Sequence, residues 1–272
     1  MQLKPGHVAV ITGAANGIGL ALAELLVARG LHVVLGDLDG TALDAAAARL
    51  HQPDRPVTTV VTDVTDPDAV AALADTALRT HGVIHLACNN AGITGVGGPM
   101  WTLDDTAWHR AIDVNLWGVI NGIRAFVPHL VAQDHGHVLN TASLAGLTTT
   151  PYTAPYNASK HAVVTITETL AAELSMRGSK VTTSVACPGF VNTAIWDAER
   201  ERMAGLDGPA VDPSYAAFSA AITQMAASGG QNPADTATRI VDGVEAGRLH
   251  LFTHPEMAPL IHERIRLIEA DL

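Results

Sequence analysis

Short apolar runs alternate with amphipathic segments along most of the chain. The apolar runs are rich in β-branched side chains, which is typical of strands that are buried on both faces of a sheet. The segments between them carry apolar residues at helical spacing and end at glycine or polar residues. The pattern predicts strands at 7–11, 31–35, 57–61, 83–88, 136–141, 180–186 and 248–253, and helices at 17–29, 41–50, 66–80, 103–132, 152–177, 233–246 and 255–270.

This alternation predicts an α/β fold, in which a doubly wound parallel sheet has helices on both faces. We find no internal repeat and no linker, so residues 1–272 are interpreted as a single domain. The stretch at 194–232 departs from the rhythm and is rich in Gly, Pro, Ala and Met. We interpret it as an irregular lid over a substrate site, and disordered loop structure is the alternative.

Composition narrows the class of protein. With 48% hydrophobic and 16% charged residues, the 272-residue chain can bury a large core. Its formal charge of −11 argues against nucleic acid and anionic membrane surfaces as partners. Cys88 and Cys187 stand in apolar runs without metal-ligand spacing, so we expect buried thiols in a reducing compartment. No segment resembles a targeting or spanning sequence, and we predict a cytoplasmic protein.

A glycine-rich turn follows the first predicted strand. Gly13, Gly17 and Gly19 stand in the sequence from Thr12 to Gly19, directly before the first helix, together with Asn16 and Ile18. Glycines let the backbone approach a pyrophosphate, and a helix N-terminus offers N–H groups to it. The turn indicates a dinucleotide site, although glycines that serve only the shape of a turn remain the alternative.

Asp37 ends the second predicted strand, 18 residues after Gly19. A carboxylate there can accept hydrogen bonds from both ribose hydroxyls of an adenosine and would repel a 2′-phosphate. Leu38 and Asp39 follow it, so no cation is at hand to bind such a phosphate. We therefore predict NAD in preference to NADP, and a solvated carboxylate at the strand end is the alternative.

Tyr156 and Lys160 are four residues apart on a predicted helix, which brings both side chains to one face. An ammonium group and a positive nicotinamide ring would favour the phenolate and lower the pKa of the tyrosine, so that it can remove a proton from an alcohol. Ser143 ends the fifth strand, where a hydroxyl can hold the substrate oxygen. The alternatives are an exposed lysine beside a tyrosine and a serine that caps a turn.

Six motifs, which follow one another along the chain in the order of the family, resemble those of the short-chain dehydrogenase/reductase family in its single-domain form. The resemblance covers roughly residues 5–195. Its motifs are Thr12–Gly19, Asn89-Asn90-Ala91-Gly92, Asn115, Ser143, Tyr156 with Lys160, and Pro188-Gly189-Phe190-Val191-Asn192-Thr193. Leu249 to Glu256 replace the V-D-G-G segment of the 3-oxoacyl carrier-protein reductases, so the resemblance does not extend to that activity.

The resemblance implies a fold, a set of roles and an assembly. The expected sheet order is 3-2-1-4-5-6-7. Tyr156 would be the general acid/base, Lys160 would bind the nicotinamide ribose, Ser143 would orient the substrate, and Asn115 would hold a proton-relaying water. The expected cofactor-binding residues are Gly13, Asn16, Gly17, Ile18, Gly19, Asp37, Asp63, Val64, Asn89, Ala91, Gly92, Tyr156, Lys160, Pro188, Val191 and Thr193. A homodimer or homotetramer through the helices at 103–132 and 152–177 is also implied.

The residues that flank Ser143 and Tyr156 in these motifs, together with the lid, are nearly all apolar. We expect Ile93, Val96, Leu144, Phe190, Ile195 and Trp196 to line the substrate pocket, with Thr94, Leu147, Tyr152 and Met203 nearby. Such a pocket predicts an uncharged, largely hydrophobic secondary alcohol or its ketone as the substrate. Ordinary core or oligomer packing is the alternative for each of these residues.

Other function classes find less support in the sequence. The 13 histidines form no H-E-x-x-H motif, so we predict no catalytic metal. No G-x-S-x-G motif of a serine hydrolase is present. We therefore predict an NAD-dependent oxidoreductase. An NADH-dependent biosynthetic ketoreductase and a non-catalytic dinucleotide sensor on the same fold are the alternatives.

Overall fold

Seven parallel strands form one sheet in the order β3-β2-β1-β4-β5-β6-β7. The computed structural model describes residues 1–52, 56–193, 195 and 213–272. The strands are β1 Val8–Thr12, β2 His32–Asp37, β3 Thr58–Val61, β4 Leu86–Asn89, β5 His137–Thr141, β6 Thr182–Cys187 and β7 His250–Phe252. The predicted fold class and strand order are confirmed.

Helices cover both faces of the sheet. They are α1 Gly17–Ala28, α2 Gly40–Leu50, α3 Pro67–His81, α4 Asp105–Ile112, α5 Gly118–Ala132, α6 Ala154–Met176, α7 Pro213–Gly229, α8 Pro233–Glu245 and α9 Ala258–Glu269. A polar N-cap side chain accepts a backbone N–H at the start of α2, α3, α4 and α8, which explains where these helices begin. None of the described helices is long and apolar enough to cross a lipid bilayer.

The central strands are apolar on both faces, as the sequence pattern predicts. In β1, Ala9 and Ile11 belong to the core on one face of the sheet, and Val8 and Val10 belong to the core on the other. Successive strand residues alternate between faces, so an unbroken apolar run fills both cores. The sheet is therefore a rigid platform whose strand ends carry the polar residues.

Two segments differ from the sequence predictions. The helix predicted at 103–132 is interrupted by a π-helical turn at Asp113–Trp117, which separates α4 from α5. Part of the region predicted to be an irregular lid forms the 17-residue helix α7. The run between its terminal Pro213 and Gly229 is rich in alanine, and helix propensity accounts for its structure. The rest of the proposed lid lies outside the described residues, apart from Ile195 and residues 230–232.

Candidate active site

A cleft of about 1660 Å³ opens at the carboxyl ends of the central strands, where β1 and β4 lie side by side. Ligands of doubly wound sheets bind at such a topological switch point. Of the residues predicted from the sequence, the cleft is lined by Gly13, Asn16, Gly17, Ile18, Asp37, Asp63, Val64, Ala91, Gly92, Ile93, Ser143, Leu144, Tyr156, Lys160, Pro188, Phe190, Val191, Thr193 and Ile195.

The glycine turn brings backbone to the floor of the cleft. Gly13 has φ +63°, and a Cβ atom there would lie 2.7 Å from Cα of Ala91. At Gly19, which does not line the cleft, a Cβ would collide with the carbonyl oxygen of Gly13. Gly19 therefore serves close packing beneath the turn. Asn16, the N-cap of α1, makes no side-chain capping bond, so the first N–H groups of this helix remain available to an anion.

A second asparagine, which the sequence analysis did not single out, fastens this turn to β4. The side-chain amide of Asn90 donates to the carbonyls of Thr12 and Gly13 at 3.1 and 3.2 Å. By contrast, Asn89 is buried and donates to Oδ1 of Asn140 at 2.8 Å. Asn89 thus joins β4 to β5 below the cleft and does not line it, so any contribution to cofactor binding would come from support of the sheet. The sequence could not separate the two, because they are adjacent in one motif.

Asp37 stands at the cleft edge with both carboxylate oxygens fixed by backbone donors. Oδ2 accepts from the N–H of Ala15 at 2.9 Å, and Oδ1 accepts from that of Asp39 at 3.1 Å. Asp63 is held similarly, since its Oδ1 accepts from both the N–H and the hydroxyl of Thr65. These bonds orient two carboxylates along the β2 and β3 side of the cleft.

Tyr156 lies on α6 and lines the same cleft as Ser143. Burial raises the pKa of Tyr156 above its ordinary value, and the hydroxyl of Ser143 opposes this increase only in part. The lowered pKa expected from the sequence includes the charge of a nicotinamide ring, and that expectation stays a prediction. Ser143 also accepts from the N–H of Ala145 at 3.1 Å, which orients its hydroxyl.

Lys160 is 3% exposed, and its Nζ donates to the carbonyl of Thr141 at 3.0 Å. Burial lowers the pKa of its ammonium group to about 8. Nζ lies 5.7 Å from the centre of the Tyr156 ring. The predicted pairing of these two side chains across one helical turn is therefore present.

The π-turn gives Asn115 its position. Its side chain is fully buried, accepts from the N–H of Ile93 at 2.8 Å and donates to the carbonyl of Ile93 at 2.9 Å. A Cβ at Gly92 would be 3.1 Å from Oδ1 of Asn115 and 3.3 Å from Nζ of Lys160. Asn115 therefore fixes the loop beside the lysine from behind the cleft wall, consistent with the frequent occurrence of π-turns at functional sites.

His254, which the sequence analysis did not assign a role, holds the loop after β6. Its Nδ1 accepts from the N–H of Gly189 at 3.0 Å, and its Nε2 donates to the carbonyl of Phe190 at 2.9 Å. Because the amide can only donate and the carbonyl can only accept, the ring carries its hydrogen on Nε2. A Cβ at Gly189 would lie 2.7 Å from Sδ of Met257, so this loop is packed tightly against the C-terminal segment.

Beyond Tyr156 the cleft is mainly apolar. Val96 does not line it, although its neighbours Gly95 and Gly97 do, because the chain turns at Gly95 with φ +72°. Trp196 and Met203 lie outside the described residues, and neither Leu147 nor Tyr152 lines the cleft. Two helices also contribute to the wall: α7, which lies within the predicted lid, and α9, which was not assigned to the pocket. Their lining residues are Tyr215, Ala216, Phe218, Ser219, Ala220, Ile222, Gln224, Leu260, Glu263, Arg264, Leu267 and Ile268.

An aromatic cluster holds α7 over this part of the cleft. The ring of Tyr152 lies 5.3 Å from that of Phe218 and 6.0 Å from that of Tyr215. The Tyr152 hydroxyl also donates to Oγ of Ser214 at 2.9 Å. Tyr152 therefore supports the helix that forms the cleft wall.

The chain is similar to known hydroxyl-oxidising enzymes. The family described as short chain dehydrogenase matches residues 7–204. The 1-deoxy-11-beta-hydroxypentalenate dehydrogenase of Streptomyces avermitilis is 44% identical over 195 residues, which is 71% of each chain. The cis-4-hydroxycyclohexanecarboxylate dehydrogenase of Sinomonas cyclohexanicum is 37% identical over 189 residues, which is 70% of this chain and 75% of that one.

A solved structure matches the whole fold. It is a short chain dehydrogenase/reductase from Burkholderia phymatum in complex with NAD, with a TM-score of 0.93 and 39% sequence identity. The match covers 100% of this chain and 97% of the other.

Proposed function

Because the chain belongs to the short-chain dehydrogenase/reductase family, we propose that it interconverts a largely apolar secondary alcohol and its ketone with NAD as the cofactor. Its relatives are oxidoreductases that act on hydroxyl groups. The observation that carries the proposal is that Tyr156, Ser143 and Lys160 line the same cleft as the glycine turn.

Each of these side chains has a distinct task in the proposed reaction. The hydroxyl of Ser143 holds the substrate oxygen, and the phenolate of Tyr156 removes the hydroxyl proton. A bound NAD⁺ would accept the hydride from the carbinol carbon. The ammonium group of Lys160 stabilises the phenolate, and Asn115 fixes the neighbouring loop through Ile93. In the reverse direction Tyr156 returns the proton to the oxygen of the ketone.

The shape of the cleft fits a nicotinamide dinucleotide. Gly13 and Gly17 have positive φ, and a Cβ there would meet Ala91 or Thr193, so glycine allows the turn to pass close to these residues along the cleft. The uncapped start of α1 provides N–H donors for a pyrophosphate. Asp37 offers its fixed carboxylate to ribose hydroxyls and would repel a 2′-phosphate. These features support NAD over NADP. Asp63 and Val64 would lie beside the adenine, and Val191 and Thr193 beside the nicotinamide amide.

The substrate would occupy the apolar part of the cleft. Ile93, Leu144, Phe190 and Ile195 line it, together with the residues of α7 and α9. Two relatives are named for alicyclic alcohols, a hydroxypentalenate and a hydroxycyclohexanecarboxylate. Both the apolar wall and these names support a cyclic or otherwise bulky secondary alcohol as the substrate.

Turnover with an alcohol panel tests the proposal. The panel contains cyclohexanol, 4-hydroxycyclohexanecarboxylate and its carboxamide, each with NAD⁺ and with NADP⁺, and formation of reduced nicotinamide is followed by absorbance. We expect oxidation with NAD⁺, and loss of about 10²- to 10⁴-fold in kcat for Tyr156→Phe while NADH binding remains. NADH binding without turnover of any alcohol or ketone would instead indicate a dinucleotide sensor. Full activity of Tyr156→Phe would refute the assigned base.

The assembly follows from the family resemblance and the location from the sequence analysis, and both remain predictions. We propose a homodimer or homotetramer that pairs through the π-interrupted helix of α4 and α5 and through α6, in the cytoplasm. Light scattering measures the oligomeric state directly, and a monomer at micromolar concentration would contradict the proposal. The described residues 213–232 support a single domain with a substrate lid, since α7 lines the cleft.

A further inference from the structure

We propose that Arg264 binds a carboxylate group of the substrate, so that the substrate is a hydroxy acid with an apolar body between its two polar groups. This inference rests on the proposed function, because it names the substrate class of the same cleft. It also departs from the sequence expectation of an uncharged substrate.

Arg264 interrupts an apolar stripe of α9. The stripe runs through Met257, Leu260, Leu267 and Ile268, all of which line the cleft. Arg264 comes four residues after Leu260, three before Leu267 and four before Ile268. It therefore belongs to the same helix face. Arg264 therefore places a positive charge in the middle of the apolar stripe that faces the cleft.

The charge of Arg264 is not compensated within the described part of the chain. Its side chain is half-buried and forms no hydrogen bond or ion pair with any described residue. The adjacent carboxylate of Glu263 is already occupied, since both of its oxygens accept from Arg266 at 2.8 and 2.6 Å. Partial burial of an unpaired cation in an apolar wall costs free energy, which an anionic ligand would offset.

The location of Arg264 argues against recognition of a cofactor phosphate. α9 begins directly after Met257, which packs on Gly189 at the end of β6. Asp37 ends β2, which is four strand positions from β6 in the sheet. At 4.8 Å per strand this separation is about 19 Å. Arg264 therefore belongs to the side of the cleft that would hold the substrate.

The remaining cations of the cleft are less suited to the task. Lys160 donates to the carbonyl of Thr141 beside the reacting groups. Arg110, on α4, lines the cleft but is exposed to solvent, where an ion pair contributes little. A half-buried guanidinium can instead bind both oxygens of one carboxylate with parallel hydrogen bonds. A single guanidinium among apolar side chains suits the single charge of a carboxylate.

The test compares an acid with its neutral isostere. For 4-hydroxycyclohexanecarboxylate and its carboxamide, kcat/KM is measured in wild type, Arg264→Gln, Arg264→Lys and Arg177→Gln. Arg177 is an exposed arginine outside the cleft, so Arg177→Gln changes the net charge by the same amount as Arg264→Gln but at a distant site. We expect wild type to favour the acid, and Arg264→Gln to lower the acid-to-amide ratio by about 10- to 100-fold through the KM of the acid. Arg264→Lys should retain part of the preference, and Arg177→Gln all of it.

Three outcomes would overturn the inference while the proposed function stands. These are an equal preference for acid and amide in wild type, an unchanged ratio in Arg264→Gln, and loss of the preference in Arg110→Gln instead. If no alcohol is oxidised, the proposed function fails. The carboxylate site at Arg264 is then tested separately by calorimetric binding of cyclohexanecarboxylate, which lacks the hydroxyl. Binding that weakens at least tenfold in Arg264→Gln but not in Arg177→Gln supports it, and binding that is absent or equal in all variants refutes it.

Discussion

Nζ of Lys160 lies 5.7 Å from the centre of the Tyr156 ring while it donates to the carbonyl of Thr141. The two groups are thus coupled electrostatically without a direct hydrogen bond. Burial has opposite effects on them, since it raises the pKa of the phenol and lowers that of the ammonium group to about 8. In each case burial disfavours the charged form.

This coupling predicts the effect of Lys160→Met on the pH profile. Oxidation requires ionised Tyr156, so activity should rise with pH. Removal of the positive charge should move this rise to higher pH and reduce kcat at pH 7 by about 100-fold. The difference should narrow above pH 8, where wild-type Lys160 itself loses its proton. Lys160→Arg, which keeps the charge, is the control, and an unshifted profile in Lys160→Met would contradict the prediction.

Asp37→Asn should change the choice of cofactor. The substitution removes a negative charge at the cleft edge but keeps an oxygen that can accept a backbone N–H. We expect the ratio of kcat/KM for NADP⁺ to that for NAD⁺ to increase about tenfold, because repulsion of the 2′-phosphate is relieved. Asp39→Asn is the matched control, since Asp39 caps α2 outside the cleft. An equal increase in both variants would show that general surface charge sets the preference.

His254→Leu should weaken the loop that follows β6. The substitution leaves the N–H of Gly189 without its partner and removes one of two donors to the carbonyl of Phe190, which also accepts from the N–H of Gln231 at 2.8 Å. We expect the free energy of unfolding to fall by about 2 kcal/mol, and NADH binding to weaken because Pro188 and Val191 flank this loop. Urea denaturation and fluorescence titration measure the two effects. His262→Gln, at an exposed position of α9, should change neither, and unchanged NADH affinity in His254→Leu would rule out a positioning role.

His137 should make stability depend on pH. Burial lowers the pKa of its ring to about 3, whereas the unfolded chain takes up the proton near pH 6.5. Between these values the unfolded state binds more protons, so stability falls as the pH decreases from 6.5 towards 3. In His137→Gln, the slope of unfolding free energy against pH should be smaller by up to about 1.4 kcal/mol per unit. Equal slopes in urea melts of wild type and variant from pH 4 to 6 would contradict this.

Most of the secondary structure could be predicted from local pattern. The apolar runs, the glycine turn and the spacing of Tyr156 and Lys160 act over a few residues, and each survives in the structure with shifts of one to three residues at element ends. The π-turn at Asn115 was missed, because the side chain of Asn115 is held by hydrogen bonds with Ile93 and Ser159, which are distant in sequence.

The amino-acid sequence by itself determined the alternation of strands and helices, the position of the phosphate-binding turn and the residues proposed for proton transfer. Only the tertiary structure decided that Asn90 rather than Asn89 reaches the glycine turn, that His254 holds the loop at Gly189, and that Arg264 lines the cleft. Side-chain direction and burial depend on which distant segments pack together. For the same reason the sign of the pKa shift of Tyr156 followed from desolvation in the folded state and not from its neighbour along the helix.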